Sequence, residues 1–156
     1  MKKIFQFVLL SGILIVLAAC NPNLVFEQYQ SIPNRSWSKD SLLVFNIPVS
    51  DTVSNQNIYL SIRNDVNYTY SNLWLFVTIE QTNGDSVSDK FEITLADPAG
   101  KWLGTGFGGL KTHEVIYRRN VFFPTSGDYK ITVQQGMRED VLKGISDVGI
   151  RIERTK

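Results

Sequence analysis

The sequence predicts an all-β fold, namely a β-sandwich of immunoglobulin-like or jelly-roll type with about eight strands. Three observations predict it. Short segments rich in β-branched and aromatic residues recur along the chain, turn-forming residues separate them, and only one stretch has a helical pattern. With 156 residues, of which 43% are hydrophobic, the chain is long enough to enclose one core.

The first predicted strands share an apolar composition and polar turns at both ends, and they lie at 41–49, 57–64 and 71–81. In the second of them Ile58 and Ile62 alternate with more polar neighbours, and this period of two places one face on the core. The third is apolar on both faces, which is typical of a central strand.

A hairpin signal introduces the second half of the fold. Asn83-Gly84 favours a tight turn because both residues accept a positive φ. The strands predicted after it lie at 87–97, 113–123, 128–135 and 147–154. The stretch "GMREDVLKG" has the only helical pattern, so we expect one short helix near 137–143. Its charged residues indicate either a solvated face or a docking surface for a partner.

The first twenty residues have the pattern of a secretory leader. Two lysines precede an apolar run that ends in small residues before Cys20, the only cysteine. The four residues "LAAC" resemble a bacterial lipobox, in which the cysteine is lipidated and becomes the new N-terminus. The apolar run is short for a permanent span, which needs about 20 apolar residues. We therefore divide the chain into a lipoprotein signal peptide (1–19), the lipidated cysteine and a tether (20–40) that could end in an edge strand, and a β-sandwich domain (41–156).

Lipidation of Cys20 determines how the mature protein is held and stabilised. The lipid anchors the protein to a membrane without a spanning segment. No cysteine is then left for a disulfide, so stability depends on packing. The formal net charge of +1 does not indicate nucleic acid as a partner.

The stretch "WLGTGFGG" matches the G-x-G-x-x-G pattern of dinucleotide-binding loops through Gly104, Gly106 and Gly109. Such a loop needs a helix after its last glycine to receive the pyrophosphate. A strand pattern follows instead. We therefore predict a bulged or mobile loop, in which glycine permits positive φ and close backbone approach.

Residues suited to catalysis or metal binding are sparse. His113 is the only histidine and Cys20 is assigned to lipid, which leaves too few side chains for a nucleophilic triad or a histidine-rich zinc site. Asp85, Asp89 and Asp97 lack the spacing of a calcium loop. We expect no enzymatic activity, no metal and no cofactor.

The three tryptophans leave an alternative open. Trp37, Trp74 and Trp102 could stack on sugars in a carbohydrate-binding sandwich if Trp37 and Trp102 lay on one flat, exposed face. We favour Trp74 as a core residue and the other two as caps at the ends of the sandwich, because aromatic side chains mostly stabilise through burial.

Several long segments together resemble the gliding motility lipoprotein family GldH of the Bacteroidetes. They include "YQSIPNRSWSKDSLLVF", "TLADPAGKWLGTGFGGLK" and the stretch from Gln134 to Glu153, besides the lipobox. The resemblance implies a membrane-anchored lipoprotein of the cell envelope that is required for gliding and associated with the machinery that exports and moves surface adhesins. It implies no catalytic residue, and only the lipidated cysteine carries over, onto Cys20.

The predicted function is that of a non-catalytic interaction component that binds other envelope proteins of the gliding machinery. The alternative is a carbohydrate-binding module on a lipid anchor. Many lipoproteins of that phylum reach the outer face when acidic residues follow the lipidated cysteine, whereas Asn21-Pro22-Asn23 carries none. We therefore expect an anchor in the outer membrane that faces the periplasm.

Overall fold

The computed structural model describes residues 21–155, which form two four-stranded antiparallel sheets and a smaller two-stranded sheet. The ten strands are β1 (Leu24–Ser31), β2 (Ser36–Ser38), β3 (Leu43–Val49), β4 (Gln56–Asp65), β5 (Asn72–Glu80), β6 (Ser86–Thr94), β7 (Leu110–Val121), β8 (Gly127–Gln135), β9 (Val141–Lys143) and β10 (Ile145–Arg154). The first sheet has the order β1-β10-β4-β7, the second has the order β3-β8-β5-β6, and β2 pairs with β9. The predicted all-β sandwich is confirmed. Across the described residues, no helix is long and apolar enough to span a membrane.

The core lies between the two large sheets and follows the predicted alternation. Ile58, Leu60 and Ile62 of β4 have no exposed surface, and Leu60 lies opposite the equally buried Ile150 of β10. The second sheet supplies buried residues in the same way, including Leu75 of β5. Complete burial of one such side chain contributes about 1.5–3 kcal/mol, so these central strands supply much of the stability.

The loops gather at two opposite ends of the sandwich. Residues 21–23, Thr155 and the loops 50–55, 81–85 and 122–126 lie at one end, which we call the proximal end because the described chain starts there. The loops 66–71, 95–109 and 136–140 lie at the other end, the distal end, together with β2 and β9. The chain alternates between the ends because every large strand pairs antiparallel with its neighbours.

The predicted helix near 137–143 is wrong. Residues 141–143 form β9, in which Leu142 pairs with Trp37 of β2, and both side chains are buried. Two helical turns are marginal without tertiary support, and the glycines that flank this stretch disfavour a helix. The burial of Leu142 beside Trp37 therefore decides the conformation. The described residues contain only one helical turn, a 3-10 turn at Pro33–Arg35.

The fold also begins earlier than the predicted boundary at residue 41. β1 pairs with β10 from Leu24 to Ser31, and Phe26 lies opposite the buried Ile152. Ile32 and Trp37 are buried as well. The prolines and polar residues suggested a tether, but the buried aromatic and aliphatic residues between them bind this segment to the sheet. Of the described residues, 21–23 precede the first strand.

The outermost strands of both sheets carry irregular or charged residues. Pro48 lies in β3, and the pairing of β1 with β10 shifts between Leu24 and Phe26. In β6, Asp89 accepts a hydrogen bond from the Tyr117 hydroxyl of β7 at 2.6 Å. Burial, together with this hydrogen bond, raises the pKa of Tyr117 to about 12. This contact joins the two sheets along one side.

A network of charged groups covers the outer face of the first sheet. Arg151 of β10 forms ion pairs with Glu114 of β7 and with Glu153, and its guanidinium lies 4.2 Å from the centre of the Tyr59 ring. Nearby, Arg63 pairs with Asp147 at 3.3 Å. Burial raises the pKa of each carboxyl group, but hydrogen bonds from the arginines and from serine hydroxyls outweigh it, so the pKa of Glu114 and that of Asp147 are both lowered.

These lowered pKa values predict acid-sensitive stability. A carboxyl group whose pKa is lower in the folded than in the unfolded chain stabilises the fold above its unfolded pKa of about 4, and this contribution is lost as the pH falls through the folded pKa. We expect the free energy of unfolding, measured by urea denaturation, to fall steadily below about pH 4. A double variant Glu114→Gln, Asp147→Asn should show a shallower pH dependence, whatever its stability at neutral pH. An unchanged slope would contradict this assignment.

Candidate functional site

Cys20, the one residue predicted to carry a modification, lies outside the described residues. The residues directly after it are held by the fold. The Asn21 side-chain amide donates a hydrogen bond to Glu153 at 2.6 Å, and the Arg154 backbone N–H donates to the Asn23 carbonyl at 2.9 Å. The proximal end is therefore fixed close to the predicted lipidation site.

His113 lies in β7 opposite Ile62 and is half buried. This burial lowers its pKa, so the imidazole is neutral at neutral pH. Within residues 21–155, no group of three or more histidine, cysteine, aspartate or glutamate side chains is arranged to hold a metal ion. The structure thus places His113 in the first sheet, opposite a core residue of β4.

The glycine-rich stretch forms a two-part hairpin at the distal end. In its first part, Asp97 accepts hydrogen bonds from the backbone N–H groups of Ala99 and Lys101, both at 2.9 Å. In its second part, Thr105 and Thr112 exchange backbone hydrogen bonds at 3.0 and 2.8 Å. The segment leads directly into β7 and not into a helix, in agreement with its interpretation as a loop rather than a phosphate-binding turn.

The tip of this hairpin presents a bare aromatic side chain. Phe107 is fully exposed, with a relative accessibility of 101%, and Leu103 of the same hairpin is 46% exposed. Gly106 and Gly108 flank Phe107 with positive φ angles of 155° and 64°. Lys111 donates a hydrogen bond to the Gly106 carbonyl at 3.1 Å and holds the tip. Aromatic residues are enriched in the cores of protein–protein interfaces, which makes Phe107 a candidate contact residue.

Gly104 is required by the close approach of two chain segments. A Cβ atom at this position would lie 2.8 Å from the Thr112 carbonyl oxygen, a backbone atom that cannot rotate away. We expect Gly104→Ala to lower the free energy of unfolding by about 1–3 kcal/mol, the usual cost of overpacking. Gly109→Ala is the matched control, because nothing lies within 4 Å of its Cβ position. Equal denaturation midpoints for the two variants would contradict this role.

Two of the three tryptophans are placed differently from the prediction, whereas Trp102 lies at an end of the sandwich as expected. Trp37, expected as a cap, is 1% exposed and belongs to the core. Trp74, expected in the core, is half buried on the outer face of the second sheet. Trp102 packs against Tyr68 with ring centres 6.4 Å apart. Trp37 and Trp102 therefore do not form the flat exposed platform that the carbohydrate-binding alternative requires.

Trp74 instead lines a cleft of about 470 Å³ on the outer face of the second sheet, next to the distal end. Its walls combine aromatic, cationic and sulfur-containing side chains, from Tyr70, Asn72, Trp74, Lys90, Gly136, Met137 and Arg138. The Lys90 ammonium lies 4.5 Å from the centre of the Trp74 ring, as in a cation–π contact. Tyr70 donates a hydrogen bond to Glu139, which raises the pKa of the Tyr70 hydroxyl.

A second, polar cleft of about 340 Å³ lies at the same end. The ion pair between Arg35 and Asp65 lines it, and so does Lys143. Asn34 and Arg35 both have positive φ, 53° and 52°, a conformation that is uncommon for residues other than glycine. Such backbone strain concentrates at functional sites. The distal end thus combines the exposed hairpin tip, both clefts and two strained residues.

Sequence reasoning singled out only parts of this surface. The stretch 136–144 was considered as a docking surface, and its residues Gly136, Met137 and Arg138 do line the Trp74 cleft, although in a turn and not on a helix. Phe107 was not identified. The sequence shows only an aromatic residue between glycines, and this pattern does not distinguish an exposed phenylalanine from a buried one.

Comparisons with known proteins give consistent matches over most of the chain. A family model described as GldH lipoprotein matches residues 24–152. The gliding motility lipoprotein GldH homolog of Christiangramia forsetii is 38% identical over 162 residues and covers 99% of both chains. The gliding motility lipoprotein GldH of Flavobacterium johnsoniae is 37% identical over 155 residues, covering 92% of this chain and 96% of its own. Among solved structures, the subviral particle of VP2 from infectious bursal disease virus matches with a TM-score of 0.38 and 11% identity, over 86% of this chain and 34% of that one, which is too weak to carry an argument.

Proposed function

The chain belongs to the GldH lipoprotein family, and we propose that it is a lipid-anchored envelope protein that supports gliding motility by binding other envelope proteins rather than by catalysis. A lipoprotein role in gliding is supported by the names of two relatives that align over nearly the whole chain. The anchor is a lipid on Cys20, in the outer membrane and facing the periplasm, because the residues Asn21-Pro22-Asn23 carry no acidic group.

The distal end is the surface that binds the partner. The observation that supports this most directly is the complete exposure of Phe107 at the tip of a hairpin held by backbone hydrogen bonds. A phenylalanine on an ordered loop loses little conformational entropy when it is buried by a partner, and aromatic anchors of this kind dominate binding energies. The opposite end of the molecule is close to the anchored cysteine, so the distal end is the part that extends away from it.

Phe107 provides a sharp test of this surface. We expect Phe107→Ser to abolish gliding while it changes the free energy of unfolding by no more than about 0.5 kcal/mol, because the side chain touches solvent and not the core. Val87→Ser is the matched control, since Val87 is 54% exposed on β6, away from the distal loops. Gliding is scored by colony spreading and stability by urea denaturation.

Photo-crosslinking at the same two positions, 107 and 87, identifies the partner. A photo-crosslinking amino acid at position 107 should capture an envelope protein in intact cells, which mass spectrometry then names, whereas the same amino acid at position 87 should not. Motile Phe107→Ser cells, together with identical crosslinks from both positions, would disprove a role of the distal end. Purified protein is expected to turn over no envelope substrate.

A glycan ligand is the second candidate, because Trp74 on the outer face of the second sheet and Tyr70 of the adjoining loop line the same cleft. Lys90 occupies one face of the Trp74 ring, so a sugar would have to displace a cation–π contact before it could stack there. We therefore rank this candidate below protein binding. Titration with cell-wall and plant polysaccharides distinguishes the two, and unchanged tryptophan fluorescence throughout would remove the glycan candidate.

A further inference from the structure

The proximal end carries its own exposed apolar side chains. Val53 is 85% exposed at the loop 50–55, and Phe122 is 53% exposed at the loop 122–126. Leu24, at the start of β1, is 38% exposed. None of these side chains belongs to the distal surface, so the proposed partner contact does not account for them.

The fold holds these side chains in an outward position. Asp51 accepts hydrogen bonds from the backbone N–H groups of Val53 and Ser54, at 3.1 and 2.9 Å, and from the Arg154 side chain at 2.8 Å. This arrangement fixes the loop while the Val53 side chain remains in solvent. Next to Phe122, the Phe123 ring is buried against Tyr129, with the ring centres 5.0 Å apart.

The loops 50–55 and 122–126 lie side by side at the same end of the first sheet. Thr155 donates a backbone hydrogen bond to the Asn55 carbonyl at 2.9 Å, and Gln56 pairs with Val121, the residue before Phe122. The described chain also starts at this end, because the Arg154 backbone N–H donates a hydrogen bond to the Asn23 carbonyl at 2.9 Å. Val53 and Phe122 thus lie at the same end of the first sheet as the start of the described chain, on the loops next to β4 and β7.

The sequence continues from Asn21 directly to Cys20, and neighbouring Cα atoms are only about 3.8 Å apart. Leu24 donates a backbone hydrogen bond to the Asn21 carbonyl at 3.1 Å, and the Asn21 amide is bonded to Glu153. No long linker therefore separates a lipid on Cys20 from the proximal end. A bilayer that holds this lipid must lie against this end of the sandwich.

The charges at this end do not favour attraction to an anionic surface. The Asp51 carboxylate is paired with Arg154, and Glu80 with Lys130, while Asp85 and Asp128 add acidic groups. Contact with a membrane surface would then depend on apolar side chains entering the interfacial region, and it would not require anionic lipid.

We propose that the proximal end rests on the lipid bilayer that holds the anchor, with Val53 and Phe122 inserted into its interfacial region. This inference rests on the proposed lipidation of Cys20. The ten residues of β4 run from this end to the distal end, which places Phe107 about 30 Å from the membrane surface at the usual rise per strand residue. The molecule therefore stands on the membrane and presents the distal surface away from it.

Depth-dependent quenching tests the orientation. Lipidated full-length protein carrying Val53→Cys, Phe122→Cys or Phe107→Cys is labelled with an environment-sensitive fluorophore and reconstituted in phosphatidylcholine–phosphatidylethanolamine vesicles that contain nitroxide-labelled lipid. The thiols label selectively, because the only natural cysteine is Cys20. We expect severalfold stronger quenching at positions 53 and 122 than at 107. Urea denaturation of the labelled proteins shows that each is folded.

Flotation of the vesicles separates the two possible failures. If the protein does not float with the vesicles, the lipid anchor fails, and the orientation fails with it. If the protein floats but quenching is equal at all three positions, or is strongest at 107, the anchor stands and the orientation is overturned. A fluorophore at position 53 or 122 that becomes shielded in cells without quenching by lipid would instead indicate a protein contact, which also overturns the proposal.

Discussion

Replacement of Cys20 by serine is expected to remove the lipid anchor and to abolish gliding. Each lipid methylene buried in a bilayer contributes about 0.8 kcal/mol, so the loss of two or more acyl chains removes an anchor that the apolar contacts of Val53 and Phe122 cannot replace. Because Cys20 is the only cysteine, no other thiol can accept the lipid. Metabolic labelling with palmitate and fractionation of cells provide the measurements.

The leader complicates this experiment, because an unprocessed chain could remain in the membrane through its apolar segment. A second variant avoids the difficulty, with residues 21–156 exported behind a cleavable leader that has no lipobox. We expect this chain to appear in the soluble periplasmic fraction and to be folded. Asn21→Ser serves as the control that keeps the thiol and should remain in the membrane. If the chain of residues 21–156, which has neither leader nor lipid, fractionates with the membrane and supports gliding like the parent, the anchor is disproved.

Trp37→Ala is expected to lower the free energy of unfolding by about 3–5 kcal/mol, the usual cost of removing a large aromatic side chain from a core. The Trp37 side chain is 1% exposed, its indole N–H donates to the Ser41 carbonyl at 2.9 Å, and its backbone pairs with Leu142. The substitution therefore leaves both a cavity and an unsatisfied carbonyl where the small sheet closes the distal end of the core. Such a loss is a large part of the stability of a domain this size.

Trp74→Ala is the matched comparison, because the same side chain is removed from the outer face of a sheet. We expect a loss of about 1 kcal/mol or less, as is typical for substitutions outside the core. Urea denaturation followed by circular dichroism measures both variants without relying on tryptophan fluorescence. A larger loss for Trp74→Ala than for Trp37→Ala would contradict the burial of these two residues in the fold.

The strands could be predicted because their signal is local. In β4, Ile58, Leu60 and Ile62 alternate with polar residues, and a period of two arises from the strand geometry itself. The Asn83-Gly84 hairpin was predicted for the same reason, although only Gly84 has a positive φ. Element types were thus accessible wherever neighbouring residues determine them.

The errors occurred where distant residues decide the structure. The stretch around Leu142 has a helical pattern of its own, but it pairs with Trp37 from the other end of the chain. Trp37 has polar neighbours in the sequence and Trp74 has apolar ones, so the local sequence suggests the opposite of their burial. Only the pairing of β2 with β9 and the order of the strands show which one faces the core. The candidate surface was hidden for the same reason, because loops separated by many residues meet at the distal end.

The irregular outermost strands have a consequence for a protein that a lipid concentrates in two dimensions. Pro48 has no N–H to offer, the register shift in β1 interrupts its ladder, and β6 presents the charged Asp89, Lys90 and Glu92. Unpaired strand edges promote aggregation, and proteins block them with proline, bulges and charge. These features disfavour edge-to-edge pairing of neighbouring copies through β1, β3 and β6.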